Sequence, residues 1–174
     1  MRRVEAVPVG IVVERRASPH PWGAEAWAPV AVLPGASGLS EWTQLIAGDG
    51  FTLYHAGTLT LELHHKEAEG YRCNLSSDPP RLFVVLRRSG GAASRFPYAP
   101  ILVTASPCEA EARGSSGDAI VEGVPMPDSL IALVQGFLDA HRLDEPLVKR
   151  NRRRADTEGA QRRGGPRPPG GRDG

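Results

Sequence analysis

Apolar residues along the chain fall mostly into short runs, and the run at Arg81–Arg88 is the most pronounced. It reads Arg-Leu-Phe-Val-Val-Leu-Arg-Arg, with Pro79 and Pro80 before it and a glycine pair, residues 90–91, after it. The run is rich in β-branched and aromatic residues and is too short for an ordinary helix. It therefore predicts a strand that is buried on both faces.

Several other segments alternate between apolar and polar residues, as half-buried strands do. In residues 7–13 every second residue is Val or Ile, and Pro8, which lacks a backbone donor, favours an edge strand or a strand that begins at this residue. Residues 51–55 and 59–65 predict the two arms of a hairpin that turns near Gly57. The remaining candidate strands are residues 27–33, 42–47, 71–75, 98–105 and 119–124.

One segment, residues 127–142, has its apolar residues at helical spacing. Pro127 suits the first position of a helix, and the apolar stripe that follows includes Leu133 and Phe137. We expect this helix to pack on the sheet and to supply much of the core. Residues 109–113 are compatible with a short helical turn as well.

These elements predict an α+β fold that is mainly antiparallel β. We expect a sheet or partly open barrel of about six to eight strands, with one C-terminal amphipathic helix packed on it. The 174 residues suffice for one domain with a real core, which we expect to cover residues 1–148. Residues 149–174 are rich in Gly, Pro and Arg without apolar anchors, so we expect a disordered basic tail.

Charge is unevenly distributed along the chain. Residues 143–174 hold nine Lys or Arg and five Asp or Glu, whereas the preceding part holds twelve basic and fifteen acidic residues. A basic tail suggests an anionic partner, although many such tails only keep a protein soluble. No segment has the ~20 apolar residues that a membrane helix needs, and no apolar signal segment follows Arg2 and Arg3. We therefore expect a soluble cytoplasmic protein.

Common catalytic motifs are missing from the sequence, which contains no GxxxxGK[ST], GxGxxG, GxSxG or HExxH pattern. His64 and His65 are adjacent, and neighbours on a strand point to opposite faces, so they are poorly placed to chelate one ion. One of them could act with His55 across the predicted hairpin, but a solvated strand end is the favoured interpretation. The cysteines Cys73 and Cys108 are expected to be reduced thiols. We predict no catalytic residue, metal site or cofactor.

Aromatic and basic residues supply the candidate binding surface. Trp22 follows His20 in a proline-rich loop, where it is a candidate partner contact, while Trp27 and Trp42 could complete an aromatic patch. For Trp27, which lies in a predicted strand, a core position is favoured. The second candidate is a basic cluster without interleaved aromatic residues, which disfavours nucleic acid as its partner. It consists of Lys149, Arg150, Arg152, Arg153 and Arg154.

Seven short stretches are recognisable in combination, although none of them is a catalytic motif. They are VPVGIVVERR (residues 7–16), HPW (20–22), WAPVAVLPG (27–35), YRCNL (71–75), LFVVLR (82–87), VPMP (124–127) and EPLVKR (145–150). Together they resemble an uncharacterised family of small proteobacterial proteins over roughly residues 5–155. Members of that family are often encoded near molybdenum-dependent formate dehydrogenases and their maturation factors, and some relatives are labelled molybdopterin-guanine dinucleotide biosynthesis proteins.

The resemblance implies a non-catalytic accessory protein that assists the assembly or regulation of a molybdenum-dependent formate dehydrogenase. The expected partner is a dehydrogenase subunit or maturation factor, bound through the His20–Trp22 loop and the basic cluster. Two alternatives stay open: an enzyme of molybdopterin cofactor biosynthesis with a pocket near His20, His55 or His64, and nucleic-acid binding through the tail. The chain lacks the Leu-Ala-Gly-Gly opening and following Lys of a molybdopterin nucleotidyltransferase.

Overall fold

Seven strands and three α-helices make up the part of the chain that the computed structural model describes, residues 4–36, 38–89 and 95–144. The strands are β1 (Glu5–Arg16), β2 (Ala26–Pro34), β3 (Thr43–Gly48), β4 (Phe51–Leu63), β5 (Arg81–Arg88), β6 (Tyr98–Thr104) and β7 (Ala119–Pro125). The helices are α1 (Ala68–Leu75), α2 (Pro107–Gly114) and α3 (Asp128–Asp144), and a single 3₁₀ turn, His65–Glu67, precedes α1. None of the described helices is both long and apolar enough to cross a membrane.

The strands form two antiparallel sheets that pack face to face. The first sheet has the order β2-β1-β4-β3 and the second the order β6-β5-β7. Strand β4 contacts β6 and strand β2 contacts β7, so the second sheet lies across three strands of the first. The α+β class is therefore confirmed, and the described strands form an open two-sheet sandwich instead of a closed barrel.

Strand β5 has the predicted bounds and is the central strand of the second sheet. Leu82, Val84 and Leu86 alternate along it, and all three are fully buried in the core between the sheets. Val85 points to the other face and is also fully buried, on the side of the sheet that α2 covers. The prediction of a strand buried on both faces is confirmed.

Strand β1 is not an edge strand, contrary to the prediction made from Pro8. It pairs with β2 on one side and with β4 on the other. The carbonyl oxygen of Pro8 accepts a hydrogen bond from Gly35 N at 2.9 Å, just beyond the end of β2 at Pro34. The N and O atoms of one strand residue point to the same side, so the nitrogen of Pro8 faces β2. Because β2 ends beside Pro8, the proline's missing N–H donor removes no hydrogen bond from the β1–β2 ladder.

The predicted hairpin around Gly57 is wrong, because β4 runs without a turn through this position. In the pairing with β1, His55 lies opposite Val12 and Gly57 lies opposite the preceding residue, Ile11. Ala56 therefore has no partner in β1 and is the extra residue of a β-bulge. Gly57 adopts a φ of 149°, which favours glycine. The glycine therefore marks a bulge, and the hairpin instead joins β3 to β4 at Gly50.

Residues 71–75, predicted as a strand, form the end of α1. The buried side chains of this helix are Ala68, Tyr71 and Asn74, and their spacing of three residues is helical instead of alternating. The segment is too short for the two periods to be distinguished from sequence. The ambiguous residues 109–113 are helical too, within α2.

Two buried polar side chains, Asn74 and Ser106, hold the short helices in place. The buried Asn74 side chain donates to the carbonyl oxygens of Arg81 at 2.6 Å and Ala105 at 2.9 Å, and its own oxygen accepts from Arg81 N at 3.0 Å. Ser106 caps the start of α2, and its hydroxyl donates to a carboxylate oxygen of Glu67 at 2.7 Å. These bonds satisfy polar groups that would otherwise be costly to bury.

Helix α3 occupies the predicted segment and buries the predicted stripe, but its main neighbour is α1. Phe137 meets Tyr71 edge to face with ring centres 6.0 Å apart, and it also contacts His65, which hydrogen-bonds to His141. The Tyr71 hydroxyl accepts a hydrogen bond from His64 N, directly after β4 ends. Helices α1 and α3 thus close one end of the sandwich, which we call the helical end.

Burial on α3 predicts unequal effects for two substitutions in its apolar stripe. Phe137 is 2% exposed, whereas Leu133 is only partly buried against the core. Phe137→Ala should lower the free energy of unfolding by about 3–5 kcal/mol, and Leu133→Ala by about 1–2 kcal/mol. Urea unfolding measures both, with the exposed Gln135→Ala on the same helix as a control that stays within about 0.5 kcal/mol. Equal losses at the two positions would contradict this packing.

Candidate functional site

A cavity of about 280 Å³ lies at the opposite end of the sandwich. Its lining includes Arg15, near the end of β1, while the start of β1 pairs with the end of β4 at the helical end. We call this side the open end. The lining combines aromatic side chains with charged or polar ones: Trp27, Trp42, Tyr54 and Phe96 with Arg15, Glu25, Gln44 and Arg95. We call this set the aromatic pocket.

Strand register explains why these residues meet. Arg15 lies opposite Trp27 of β2, while Tyr54 of β4 lies between Val13 of β1 and Gln44 of β3. Directly paired residues of neighbouring strands share a face, and Arg15 and Val13 are two positions apart on one strand. Each strand of the first sheet therefore contributes one side chain to the pocket. Because Val13 is fully buried, the face that builds the core continues into the pocket.

Two β-bulges set the faces of the pocket residues. Val30 in β2 and Ala56 in β4 are extra residues at the same level of the sheet, next to Val12 of β1. An extra residue reverses the alternation of the strand beyond it. As a result Trp27 and Tyr54 face the pocket, although strict alternation from the helical end would turn both side chains to the other face.

The four aromatic rings form two stacked pairs that meet edge to face. Trp42 and Phe96 stack with centres 4.4 Å apart and planes 8° apart, and Trp27 and Tyr54 lie nearly parallel at 6.0 Å. Trp27 and Trp42 then meet at 87°, with centres 5.9 Å apart. Such pairs contribute about 0.5–1.5 kcal/mol each beyond their burial. The wall of the pocket is therefore held in place before any ligand arrives.

The backbone at Trp42 is strained. Its φ is 57°, in the left-handed region, immediately before β3 begins. A non-glycine residue in this region costs about 1–3 kcal/mol, and such strain clusters at functional sites. Contacts of the Trp42 ring with Trp27, Tyr54 and Phe96 hold the residue there. The strained backbone is a second indication, besides the cavity, that this end of the molecule is a binding site.

Two guanidinium groups give the aromatic pocket a positive character. Arg15 donates to the Thr52 hydroxyl at 3.3 Å and lies 5.7 Å from the centre of the Tyr54 ring. Its ion pair with Glu25 is long, at 4.0 Å, and half-exposed, so it contributes at most about 1 kcal/mol. With Arg95, the pocket holds two positive groups against one carboxylate. An anionic group on a ligand is therefore favoured there.

A second cavity, of about 160 Å³, adjoins the first. Both cavities are lined by Arg15 and Glu25, and the second continues past Thr52 to the β3–β4 turn at Gly50. The two cavities are thus parts of one groove, and the Arg15–Glu25 ion pair lies between them. This groove extends the site beyond the rings of the aromatic pocket.

The structure places two of the predicted partner-binding residues, His20 and Trp22. His20 and Trp22 lie in the β1–β2 connection, which begins just after Arg15 and ends beside Glu25, so both belong to the open end. Trp22 is 87% exposed and does not line the pocket. Trp27 and Trp42 do come together there. The basic cluster lies outside the described residues: Lys149, Arg150, Arg152, Arg153 and Arg154.

His55 does not meet His64 or His65 across a hairpin. His55 is fully buried within β4, and His64 follows the end of the same strand, about 30 Å away at ~3.3 Å per residue. A pairing of His55 with His64 or His65 across a hairpin is therefore wrong, because β4 has no turn between them. His64 contacts Glu62 at 3.0 Å. In the described part of the chain, no three His, Cys, Asp or Glu side chains are grouped as metal ligands.

Sequence reasoning missed most of the aromatic pocket. Arg15, Tyr54 and Phe96 are distant in sequence and carry no motif. The strand pattern alone does not show which face Tyr54 occupies, because the bulge at Ala56 is invisible without the pairing of β4. The one usable signal was the recurrence of Trp along the first half of the chain.

At the helical end, Tyr71 is a strongly perturbed titratable group. Its burial raises its pKa to about 12, although the hydrogen bond from His64 N acts in the opposite direction. The carboxylates of Glu109, Glu67 and Glu62 also oppose ionisation of the phenol. Tyr71 is fully buried and serves as a neutral acceptor, so its role is to hold α1 against the end of β4.

This shift predicts a loss of stability at alkaline pH. Tyrosine ionises near pH 10 in the unfolded chain, whereas folded Tyr71 ionises at about 12. The stabilising contribution is therefore complete below about pH 10 and is lost as the pH rises through 12. Urea unfolding at about pH 9 and pH 11 should show a loss larger by about 1.4 kcal/mol in the wild type than in Tyr71→Phe. An equal pH dependence of the two proteins would contradict the assignment.

Comparison with known protein families gives a match. The family model described as "Protein of unknown function (DUF3305)" matches residues 8–153. This range includes both sheets except the first three residues of β1, the helices α1, α2 and α3, and every residue named in the aromatic pocket. No curated protein and no solved structure matches the chain. The fold and the pocket described above therefore belong to a member of the DUF3305 family of proteins of unknown function.

Proposed function

We propose that this protein is a non-catalytic accessory protein that binds a protein partner at its open end. The partner that we propose is a subunit or maturation factor of a molybdenum-dependent formate dehydrogenase. The observation that carries the binding role is the aromatic pocket, bordered by the connection with the exposed Trp22. The partner's identity rests on the gene neighbourhood of the family that the sequence resembles.

The residue types at the open end are those that dominate protein–protein binding energies. Trp, Tyr and Arg are enriched among hot-spot residues, which cluster in well-packed pockets. Here Trp27, Trp42, Tyr54, Arg15 and Arg95 lie around one cavity. A rigid wall loses little conformational entropy when a partner binds, so more of the contact energy appears as affinity.

The exposed Trp22 supplies a second contact beside the pocket. An indole side chain removes roughly 150–250 Å² from water when it is covered. At about 25 cal/mol per Å², covering it is worth on the order of 4 kcal/mol before ordering costs. Trp22 is 87% exposed, so almost all of this area is available to a partner.

The basic cluster contributes through its charge. Residues 143–174 contain nine basic and five acidic residues, and Lys149 to Arg154 form the densest part. A positive segment accelerates the encounter with an acidic partner surface and adds specificity more than affinity. Together with Arg15 and Arg95, it favours a partner with acidic residues at the contact.

Two competing functions make different predictions. An enzyme of molybdopterin cofactor biosynthesis would carry its small molecule through purification, and the flat walls and two arginines of the aromatic pocket suit an anionic ring compound. Nucleic-acid binding through the tail predicts affinity that falls steeply with salt and is lost on truncation at Ala155 or earlier. Neither behaviour is expected of an accessory protein that binds its partner through the open end.

The test is a pull-down from native extract with mass spectrometry of the retained proteins. The full chain should retain a formate dehydrogenase subunit or maturation factor. Trp22→Ala should weaken this capture, and so should charge reversal at Lys149, Arg150, Arg152, Arg153 and Arg154, without changing thermal unfolding. Val4→Ala is the matched control, because Val4 is 50% exposed and precedes β1 at the helical end.

Two results would argue against the proposal. Capture that is unchanged in both variants would remove the open end and the basic cluster as the contact surface. Retention of no dehydrogenase-related protein, together with a nucleotide, pterin or metal bound to the purified chain, would favour the enzyme instead. A version truncated after Leu147 shows whether the basic cluster is needed for capture.

A further inference from the structure

The strand next to the aromatic pocket has a bare edge. β3 is the last strand in the order of the first sheet, and β4 is its one strand neighbour within the described residues. Five of its six residues are exposed, including Leu45 and Ile46, and the 55% exposure of Ile46 is high for an aliphatic side chain. Charged side chains and Pro protect many natural edge strands, and β3, Thr-Gln-Leu-Ile-Ala-Gly, contains neither; the irregularity it does have is a bulge at Leu45. Among the described residues, no other segment forms backbone hydrogen bonds with this edge, so its N–H and C=O groups can pair with another extended chain.

The pocket adjoins this edge directly. Trp42 precedes β3, and Gln44 within β3 lines the pocket. The register of β3 shifts at Leu45, so Gln44 faces the pocket while Ile46 faces the opposite side of the sheet. An added strand would also present alternate side chains to the two faces. Its residues on one face would enter the aromatic pocket, and those on the other face would cover Ile46.

We propose that an extended segment of the partner protein adds to β3 as a fifth strand of the first sheet. The segment places an aromatic side chain against the rings of the aromatic pocket and a carboxylate beside Arg15 or Arg95. This inference rests on the proposed function, because it specifies how the partner is held. Recognition of this kind takes affinity from main-chain hydrogen bonds and specificity from pockets for alternate side chains.

Charge and area favour this occupant over two others. A small ligand enclosed in a cavity of about 280 Å³ would leave Leu45 and Ile46 uncovered. A second copy would bring Glu41 and Trp42, which precede β3, but its Trp42 ring is already packed against Trp27, Tyr54 and Phe96 of its own chain and is not available to another pocket. An acidic, aromatic segment of another protein supplies both a carboxylate and an aromatic ring, and its backbone satisfies the edge of β3.

The test selects phage-displayed random peptides of about twelve residues on the full chain and then measures binding of the enriched peptides. We expect an aromatic residue and an Asp or Glu two positions apart, because such residues share a face. N-methylation of alternate backbone nitrogens, those facing β3, should raise Kd at least about tenfold. Methylation of the intervening nitrogens should change Kd less than about twofold.

Variants of the protein complete the test. Arg95→Glu should raise the Kd of an enriched peptide about tenfold, because it reverses the charge that faces the carboxylate. Ile46→Lys should raise it about fivefold, while Val4→Lys, at 50% exposure and far from β3, should leave it unchanged.

Three outcomes would overturn the inference. One is the absence of enriched peptides, and another is equal Kd values across the methylation series. The third is a dimer of the free protein that Ile46→Lys dissociates, which would assign the edge to a second copy. Each of these leaves the pull-down result standing, whereas peptide binding without dehydrogenase capture would retain strand addition and reject the proposed partner.

Discussion

The pairing of β1 on both sides is the constraint on which the rest of the structure depends. β1 is hydrogen-bonded to β4 over its full length and to β2 from Val9 onward. Its inner face carries Val9, Ile11 and Val13 in the core and then Arg15 in the aromatic pocket. A slip of one residue would move all four side chains to the other face. The core and the aromatic pocket therefore depend on the same register of β1, and a slip of this strand would disrupt both.

The two ends of the sandwich are stabilised differently. At the helical end, Tyr71, Asn74 and Ser106 are buried and hydrogen-bonded to fixed partners, so this end is tightly specified. The open end instead holds stacked rings with partial exposure, a strained Trp42 backbone and a long ion pair at Arg15. Strain at one end is tolerated because the packing at the other end supports the fold. This division is consistent with the binding role that we propose for the open end.

The sequence predicted the elements whose signal lies within a single run. Arg81–Arg88 has its predicted bounds, because a short apolar run between arginines and turn residues allows few alternatives. The last helix was found because its stripe repeats over several turns. Features that depend on another strand were missed: Pro8 lies inside a sheet because β2 ends beside it, and Gly57 marks a bulge instead of a turn. The aromatic pocket belongs to the same class, since Trp27 and Tyr54 face it only after the bulges.

The bulges in β2 and β4 determine which side chains line the aromatic pocket. Val30 and Ala56 are single extra residues, one in each neighbour of β1, and each reverses the faces of the strand beyond it. Gain or loss of one codon in β2 or β4 therefore moves each side chain beyond that point to the opposite face of the sheet. The half of the sheet at the helical end keeps its register. The lining of the aromatic pocket can therefore change by insertion and deletion as well as by substitution. Comparing members of the family by aligned residues alone would then pair positions that point to opposite sides of the sheet.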